Sequence, residues 1–145
     1  MNRKPCSFGM IRNMKPTPAP LPSHIVPYAF TFRWDNEKVW ALSVPTESMD
    51  VSELVWHLDI KWLHTPEGRF DLTPIEIMSN PTIHSEQYDR TMNSDLSFPI
   101  DVMIHDDHWQ ILDGLHRLMK SIDQGLTSVT VRKISPEMIP LIVKD

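Results

Sequence analysis

The sequence predicts an α+β domain in which short helices pack on a small mixed sheet, and three features of its last third predict it. Apolar runs at 99–104 and 109–113 flank the turn-forming pair Asp106-Asp107, which indicates a hairpin. A third run, rich in β-branched residues, covers 128–134. Between the second and third runs, apolar residues recur at helical spacing and Gly125 follows as a C-terminal cap: Leu115, Leu118, Met119 and Ile122.

The first 27 residues predict an extended arm, because they hold six of the thirteen prolines of the chain. Residues 28–145 then form one domain, which is the size that 145 residues allow. The arm reads as a linker, and its Pro-x-x-Pro spacing also fits docking on a protein partner.

Charge and composition exclude several classes of protein. Residues 1–34 sum to +5 and residues 35–145 to −10, so the acidic body disfavours nucleic acid as a partner. No apolar run reaches the roughly 18 residues of a membrane-spanning helix. The single cysteine, Cys6, cannot form an internal disulfide or a cysteine-based zinc site, so a reducing, cytoplasmic setting is expected.

The first half of the domain gives weaker patterns. Two β-forming runs, Tyr28–Trp34 and Lys38–Leu42, are separated by turn-forming residues, so we expect a hairpin there. From Asp50 a short helical turn is expected, followed by a strand over Trp56–Trp62, where apolar and polar residues alternate.

Two short helices are expected next. Thr73-Pro74-Ile75-Glu76 has the cap, the proline and the glutamate of a capping box. A second helix should cover Glu86 to Met92, after Ser85.

The junction of strand and helix at 113–117 carries the most promising chemistry. Gly114 precedes a helix N-terminus, where unpaired amides and the helix dipole favour an anion such as phosphate. Arg117 could add a planar set of donors, and Lys120 could help neutralise phosphate or be solvated. Asp113 could hold a divalent cation, orient a hydroxyl or cap the helix, and His116 could donate to an anion or move a proton. An ordinary strand-to-helix turn is the alternative.

His105-Asp106-Asp107-His108 offers imidazole and carboxylate groups, which are ligands for divalent ions. Asp-Asp is also ordinary turn chemistry, and neighbouring strand residues point to opposite faces. A structural turn is therefore the favoured interpretation.

The segments 99–102, 109–118 and 129–131, with Gly125, resemble the core of the ParB/sulfiredoxin superfamily. The closest likeness is to the Asp-Gly-x-His-Arg form found in free serine kinases and in ParB-like proteins. This resemblance implies that the turn binds nucleotide phosphates, through Gly114, Leu115, His116 and Arg117. It further implies ATP or another nucleotide as ligand, with Mg²⁺.

The departures from that pattern restrict the function. Sulfiredoxins resemble this chain in the turn but have a cysteine where Leu115 stands, so repair of sulfinic acids is excluded. Free serine kinases have a catalytic glutamate after their first core strand. Glu67 and Asp71 lie in the comparable region, and neither aligns with it clearly.

Two hypotheses follow, and a third ranks last. The first is a nucleotide-binding enzyme that hydrolyses a nucleotide or transfers its terminal phosphoryl group to a small hydroxyl acceptor, with Asp113 and His116 as catalytic residues. The second is a non-catalytic module, gated by nucleotide or serving protein interaction. A nuclease is disfavoured because the body of the chain is acidic.

Overall fold

A four-stranded sheet organises residues 21–145, the part of the chain that the computed structural model describes. Its strand order is β1-β6-β4-β5, with β4 parallel to β6 and the other pairs antiparallel. A second, two-stranded sheet pairs β2 with β3. The strands are β1 (Thr46–Asp50), β2 (Leu63–Thr65), β3 (Gly68–Leu72), β4 (Ile100–His105), β5 (His108–Asp113) and β6 (Ser128–Lys133).

Helices cover both faces of the main sheet. They are α1 (Asn36–Trp40), α2 (Pro74–Ser79), α3 (Ser85–Met92), α4 (Leu115–Asp123) and α5 (Ile139–Ile142). Short 3-10 helices lie at Val26–Tyr28, Val51–Glu53, Val55–Asp59 and Pro136–Met138. None of these helices has the length and apolar character needed to cross a bilayer.

Each face of the sheet has its own apolar core. On one face, Leu118 of α4 packs with Val102 and Val131, all fully buried. On the other face, Val39 of α1 and Ile142 of α5 pack with Met103. The two layers bury Ile100, Val102 and Met103 of β4, which explains why most of that strand is apolar.

The α+β class and most elements of the last two-thirds are confirmed. The capping box is present, with the Glu76 amide donating to Thr73 Oγ1 and the Thr73 amide donating to Glu76 Oε1. Asp106 and Asp107 have φ of 51° and 66°, which is the left-handed backbone of a tight two-residue hairpin turn. Gly125 has φ of 78°, as a left-handed cap requires.

The hairpin expected over 28–42 is wrong. Asp35 accepts a hydrogen bond from the Glu37 amide and so caps α1, which turns the second half of the expected hairpin into a helix. Trp34 instead forms an isolated bridge with Val143, near the end of the chain.

The strand expected over Trp56–Trp62 is also wrong. The alternating residues form the 3-10 helix Val55–Asp59, and β2 begins only at Leu63. The strand β1 was not expected, because four of its five residues are exposed and polar and only Met49 is buried.

The predicted arm falls partly outside the described residues, since residues 1–20 are not described. Residues 21–27 lie against the domain. Ile25 has an exposed fraction of only 4%, and His24 Nε2 is 2.9 Å from the Phe70 carbonyl.

Candidate functional site

The turn between β5 and α4 depends on a bulge and a glycine. Asp101 is paired with Asp113 and Val102 with Ile111, so Leu112 is an extra residue in β5. Such bulges redirect the residues that follow them. Gly114 then has φ of 119°, and a Cβ there would lie 3.2 Å from the Ile100 Cα and 3.1 Å from its Cγ1. Only glycine fits this backbone without strain.

The first turn of α4 has no side-chain cap. Its N-cap is Gly114, so the Asp113 cap considered from the sequence is not formed. The first helical hydrogen bond runs from the Leu118 amide to the Gly114 carbonyl, at 3.0 Å. The amides of Leu115, His116 and Arg117 precede that bond and are the orphan donors of the helix.

One oxygen of the Asp113 carboxylate accepts two hydrogen bonds. Its Oδ2 accepts from the Trp40 indole nitrogen at 2.9 Å and from Arg117 Nη2 at 3.0 Å. The side chains of Arg117 and Asp113 are 17% and 23% exposed. No hydrogen bond to the second oxygen, Oδ1, is found among residues 21–145, so that oxygen is left for a ligand.

Arg117 lies directly over the glycine. Its Nη2 would be 3.2 Å from a Cβ at Gly114, so the guanidinium is adjacent to the orphan amides. Its Nε is buried and has no hydrogen-bond partner within residues 21–145. The guanidinium therefore has one group committed to Asp113 and further donors to spare.

His116 faces α3 as well as the turn. Its Nε2 is 2.9 Å from Gln87 Oε1, and because an amide oxygen only accepts, Nε2 carries the proton. Burial, followed by the positive charges of Arg90 and Arg117, lowers the pKa of His116 to about 4. The imidazole is therefore neutral at pH 7, which disfavours it as a proton donor to a leaving group.

Lys120 does not join this group. Its ammonium donates to the Ser94 carbonyl at 2.8 Å, and the residue does not line the cleft described next. Lys120 thus fixes the loop after α3, whereas the sequence suggested a contact with phosphate.

The turn opens into a cleft of about 680 Å³. Its lining includes Asp113, Gly114, Leu115, His116 and Arg117, which are the residues that the sequence pattern brought together. Arg33 and Lys144 add two more cations to the lining. Six aromatic side chains complete the walls: Tyr28, Phe30, Phe32, Trp34, Trp62 and Phe70.

His57 is a second polar residue of this cleft, and sequence reasoning missed its role. It is 2% exposed, its Nε2 accepts from the Ile111 amide at 3.1 Å, and its Nδ1 is 2.8 Å from the Leu54 carbonyl. Nδ1 must therefore carry the proton and donate. Burial lowers the pKa of His57 to about 4. Both contacts are made to backbone groups, so no residue spacing signals them.

A buried ion pair positions Trp40 for its contact with Asp113. Arg132 Nε donates to Asp101 Oδ1 at 2.7 Å, and its two other nitrogens donate to the carbonyls of Val39 and Leu42. These carbonyls lie at the C-terminal end of α1, where a cation is favourable. The pair therefore anchors α1, and with it Trp40, to the sheet.

Metal ligands are sparse in the described residues. No group of three or more His, Cys, Asp or Glu side chains that could hold a metal ion occurs within residues 21–145. The segment His105-Asp106-Asp107-His108 is not such a group either, and it forms the hairpin turn between β4 and β5. A magnesium ion carried by a nucleotide needs only one or two carboxylates besides phosphate oxygens, and Asp113 Oδ1 meets that requirement.

Comparison with known proteins adds no relative: no family model, no curated protein and no solved structure gives a significant match to the chain.

Proposed function

We propose that this chain is a nucleotide-binding domain that hydrolyses a nucleotide or transfers its terminal phosphoryl group to a small hydroxyl acceptor. The observation that carries the proposal is the Gly114 turn, where orphan amides and the Arg117 guanidinium meet at the wall of a large cleft. The resemblance of this turn to the ParB/sulfiredoxin core supports the same ligand.

The charges in the cleft favour a polyanion. Arg33, Arg117 and Lys144 line it with one carboxylate, Asp113, and that carboxylate is neutralised by Arg117. These four side chains sum to +2, whereas the whole chain carries −5 at pH 7, so the cleft is a local reversal of sign. A cleft that concentrates one sign of charge attracts ligands of the other sign.

Each residue has a defined part in this proposal. The amides of Leu115, His116 and Arg117 hold phosphate oxygens, and the guanidinium of Arg117 stabilises the charge that develops on them. Asp113 Oδ1 holds Mg²⁺ or orients the acceptor hydroxyl. The oxygen of water or acceptor then forms a bond to the terminal phosphorus, the bond to the nucleoside diphosphate breaks, and the hydroxyl proton passes to solvent.

Calorimetric titration of the protein with ATP, ADP and CTP in the presence of Mg²⁺ tests the binding. We expect saturable heat for at least one nucleotide and a loss of affinity of about tenfold or more in Arg117→Ala. The matched control is Lys133→Ala, which also removes one cation but lies on Glu47 and Trp109, away from the cleft. Absence of heat with all three nucleotides contradicts the proposal.

A non-catalytic binding module is the second candidate, and the state of two side chains favours it. His116 is neutral at pH 7 and hydrogen-bonded to Gln87, and Asp113 already accepts from two donors. These contacts hold both side chains in place, which suits ligand binding better than proton transfer. Release of phosphate, or phosphorylation of an added hydroxyl acceptor, on prolonged incubation with ATP and Mg²⁺ and above that of Arg117→Ala, identifies the enzyme. The absence of both identifies the module.

A further inference from the structure

Aromatic residues collect at the cleft and are absent from the deepest part of the core. Six of the twelve aromatic residues of the chain line the cleft, and each of the six is partly exposed. Within residues 21–145 the buried apolar residues are all aliphatic or methionine. Phe30, Phe32 and Trp34 pack against the buried residues around Met103 but stay partly exposed at the cleft, so part of their aromatic surface is open to a ligand.

Five of the six aromatic side chains form two clusters, and Phe70 packs separately, against His64. Phe30, Phe32 and Trp34 contact one another, with ring centroids 5.3 to 6.0 Å apart. Tyr28 and Trp62 meet edge to face at 5.4 Å. Both clusters border the same cleft as the Gly114 turn, so one ligand with a flat apolar part and an anionic part can contact both.

Gln110 provides a hydrogen-bonding group in the lining of the cleft. It lines the cleft, is 4% exposed, and donates from Nε2 to the Tyr28 carbonyl at 2.6 Å. That bond fixes the orientation of the amide, because the opposite orientation would set two oxygens against each other. Its Oε1 is then a buried acceptor with no partner among residues 21–145. An unpaired buried acceptor is costly, and a ligand N–H would satisfy it.

We propose that this cleft binds a nucleobase with an exocyclic amine, which stacks on the aromatic residues and donates to Gln110 Oε1. The inference rests on the proposed function, since the phosphates of the same ligand occupy the Gly114 turn. Adenine and cytosine carry such an amine. Hypoxanthine and uracil have a carbonyl oxygen in its place, which would face Oε1 as a second acceptor.

The experiment compares five ligands on the unmodified chain by calorimetry with Mg²⁺: tripolyphosphate, ATP, ITP, CTP and UTP. We expect the better of ATP and CTP to bind at least tenfold more tightly than tripolyphosphate, because stacking adds to the phosphate contacts. We expect the better of the two amino nucleotides, ATP or CTP, to bind about tenfold or more tightly than its carbonyl counterpart, ITP or UTP.

The outcomes separate the two proposals. Binding of tripolyphosphate as tightly as ATP and CTP overturns the base site and leaves the phosphate site standing. Equal binding within both nucleotide pairs overturns the role of the amine. Absence of binding by every ligand overturns the proposed function and this inference with it.

Two variants test the residues. Phe32→Leu should weaken ATP about fivefold or more and leave tripolyphosphate unchanged, whereas Phe98→Leu, at an exposed phenylalanine that does not line the cleft, should change neither. Gln110→Met keeps the size of the side chain and should reduce the ratio of ATP to ITP affinity to near one. A ratio that stays unchanged in folded Gln110→Met, checked by circular dichroism, contradicts the assignment.

Discussion

The indole nitrogen of Trp40 donates to Asp113 Oδ2 at 2.9 Å, across 73 residues of sequence, on the same oxygen that Arg117 contacts at 3.0 Å. Trp40 is 55% exposed, so the ring contributes little to the core. Its polar contact instead ties α1 to the candidate site. The orientation of the Asp113 carboxylate is therefore set from two directions, one local and one distant.

Replacement of Trp40 by phenylalanine removes this donor and keeps an aromatic ring. We expect a loss of about 1 kcal/mol in the free energy of unfolding, measured in urea, because a hydrogen bond to a carboxylate is lost at a partly exposed site. Trp34→Phe is the matched control, since its indole donates only to the nearby Asn36 side chain. An equal loss of unfolding free energy in both variants would show that the Trp40–Asp113 hydrogen bond contributes no more than the Trp34–Asn36 hydrogen bond.

Gly114→Ala should lower the free energy of unfolding by about 2 kcal/mol or more. The substitution forces a left-handed backbone on alanine and brings its Cβ within 3.2 Å of backbone at Ile100. Gly125→Ala shares the positive φ but meets nothing within 4 Å, so about 1 kcal/mol is expected there. The difference between the two variants, from chemical unfolding curves, measures the crowding at the turn. Equal losses would mean that the backbone conformation alone sets the cost.

The buried pair of Asp101 and Arg132 should be costly to break. Asp101→Asn leaves the Arg132 guanidinium buried without a counter-charge, so we expect a loss of about 3 kcal/mol. The adjacent exposed pair is the control, and Glu47→Gln should cost less than about 1 kcal/mol. The double variant Asp101→Asn with Arg132→Met should be less destabilised than the sum of its single changes. Additive losses would contradict a direct interaction.

Stability should fall between pH 6.5 and pH 4 because of His57 and His116, whose pKa values are both lowered to about 4 in the folded chain. For His57 the pKa is about 4 in the folded chain and 6.5 in the unfolded one, so the unfolded state binds a proton first as the pH decreases. The contribution is complete above pH 6.5 and lost by about pH 4, with a magnitude of about 3 kcal/mol. Thermal unfolding as a function of pH measures it.

His57→Gln is the comparison for that pH series, because glutamine does not titrate. The variant should be less stable at pH 7, where the bond to the Ile111 amide is weakened, and its stability should depend less on pH between 6.5 and 4. An identical slope in both proteins would show that His57 is not the group responsible.

Local signals predicted the last third of the fold well. The turn at Asp106-Asp107, the helical spacing from Leu115 and the cap at Gly125 act within a few residues, so sequence alone identifies them. The residues of the Asp113–Arg117 turn were found for the same reason. The cleft that they line is also lined by residues from the segment 28–34. This contact between distant segments could not be predicted from local sequence patterns.

The errors arose where distant contacts decided the structure. Residues 38–42 favour a strand, yet α1 forms over Asn36–Trp40. Asp35 caps this helix, and Arg132 binds the carbonyls at its C-terminal end. The alternation at 56–62 predicted a strand, yet Trp56 and His57 bind the backbone of β5 instead of pairing as a strand.

The contacts of Trp56 and His57 with β5 have a consequence for association between molecules. β5 lies at one border of the main sheet, and its Trp109 carbonyl and Ile111 amide are already occupied by these side chains. Two backbone groups of this border strand are therefore unavailable to a foreign strand. At the opposite border, β1 has no second strand partner among residues 21–145; its Glu47 is paired with Lys133, and its Asp50 adds a negative charge that disfavours self-pairing. Side chains thus cover part of one border, and charged residues occupy the other.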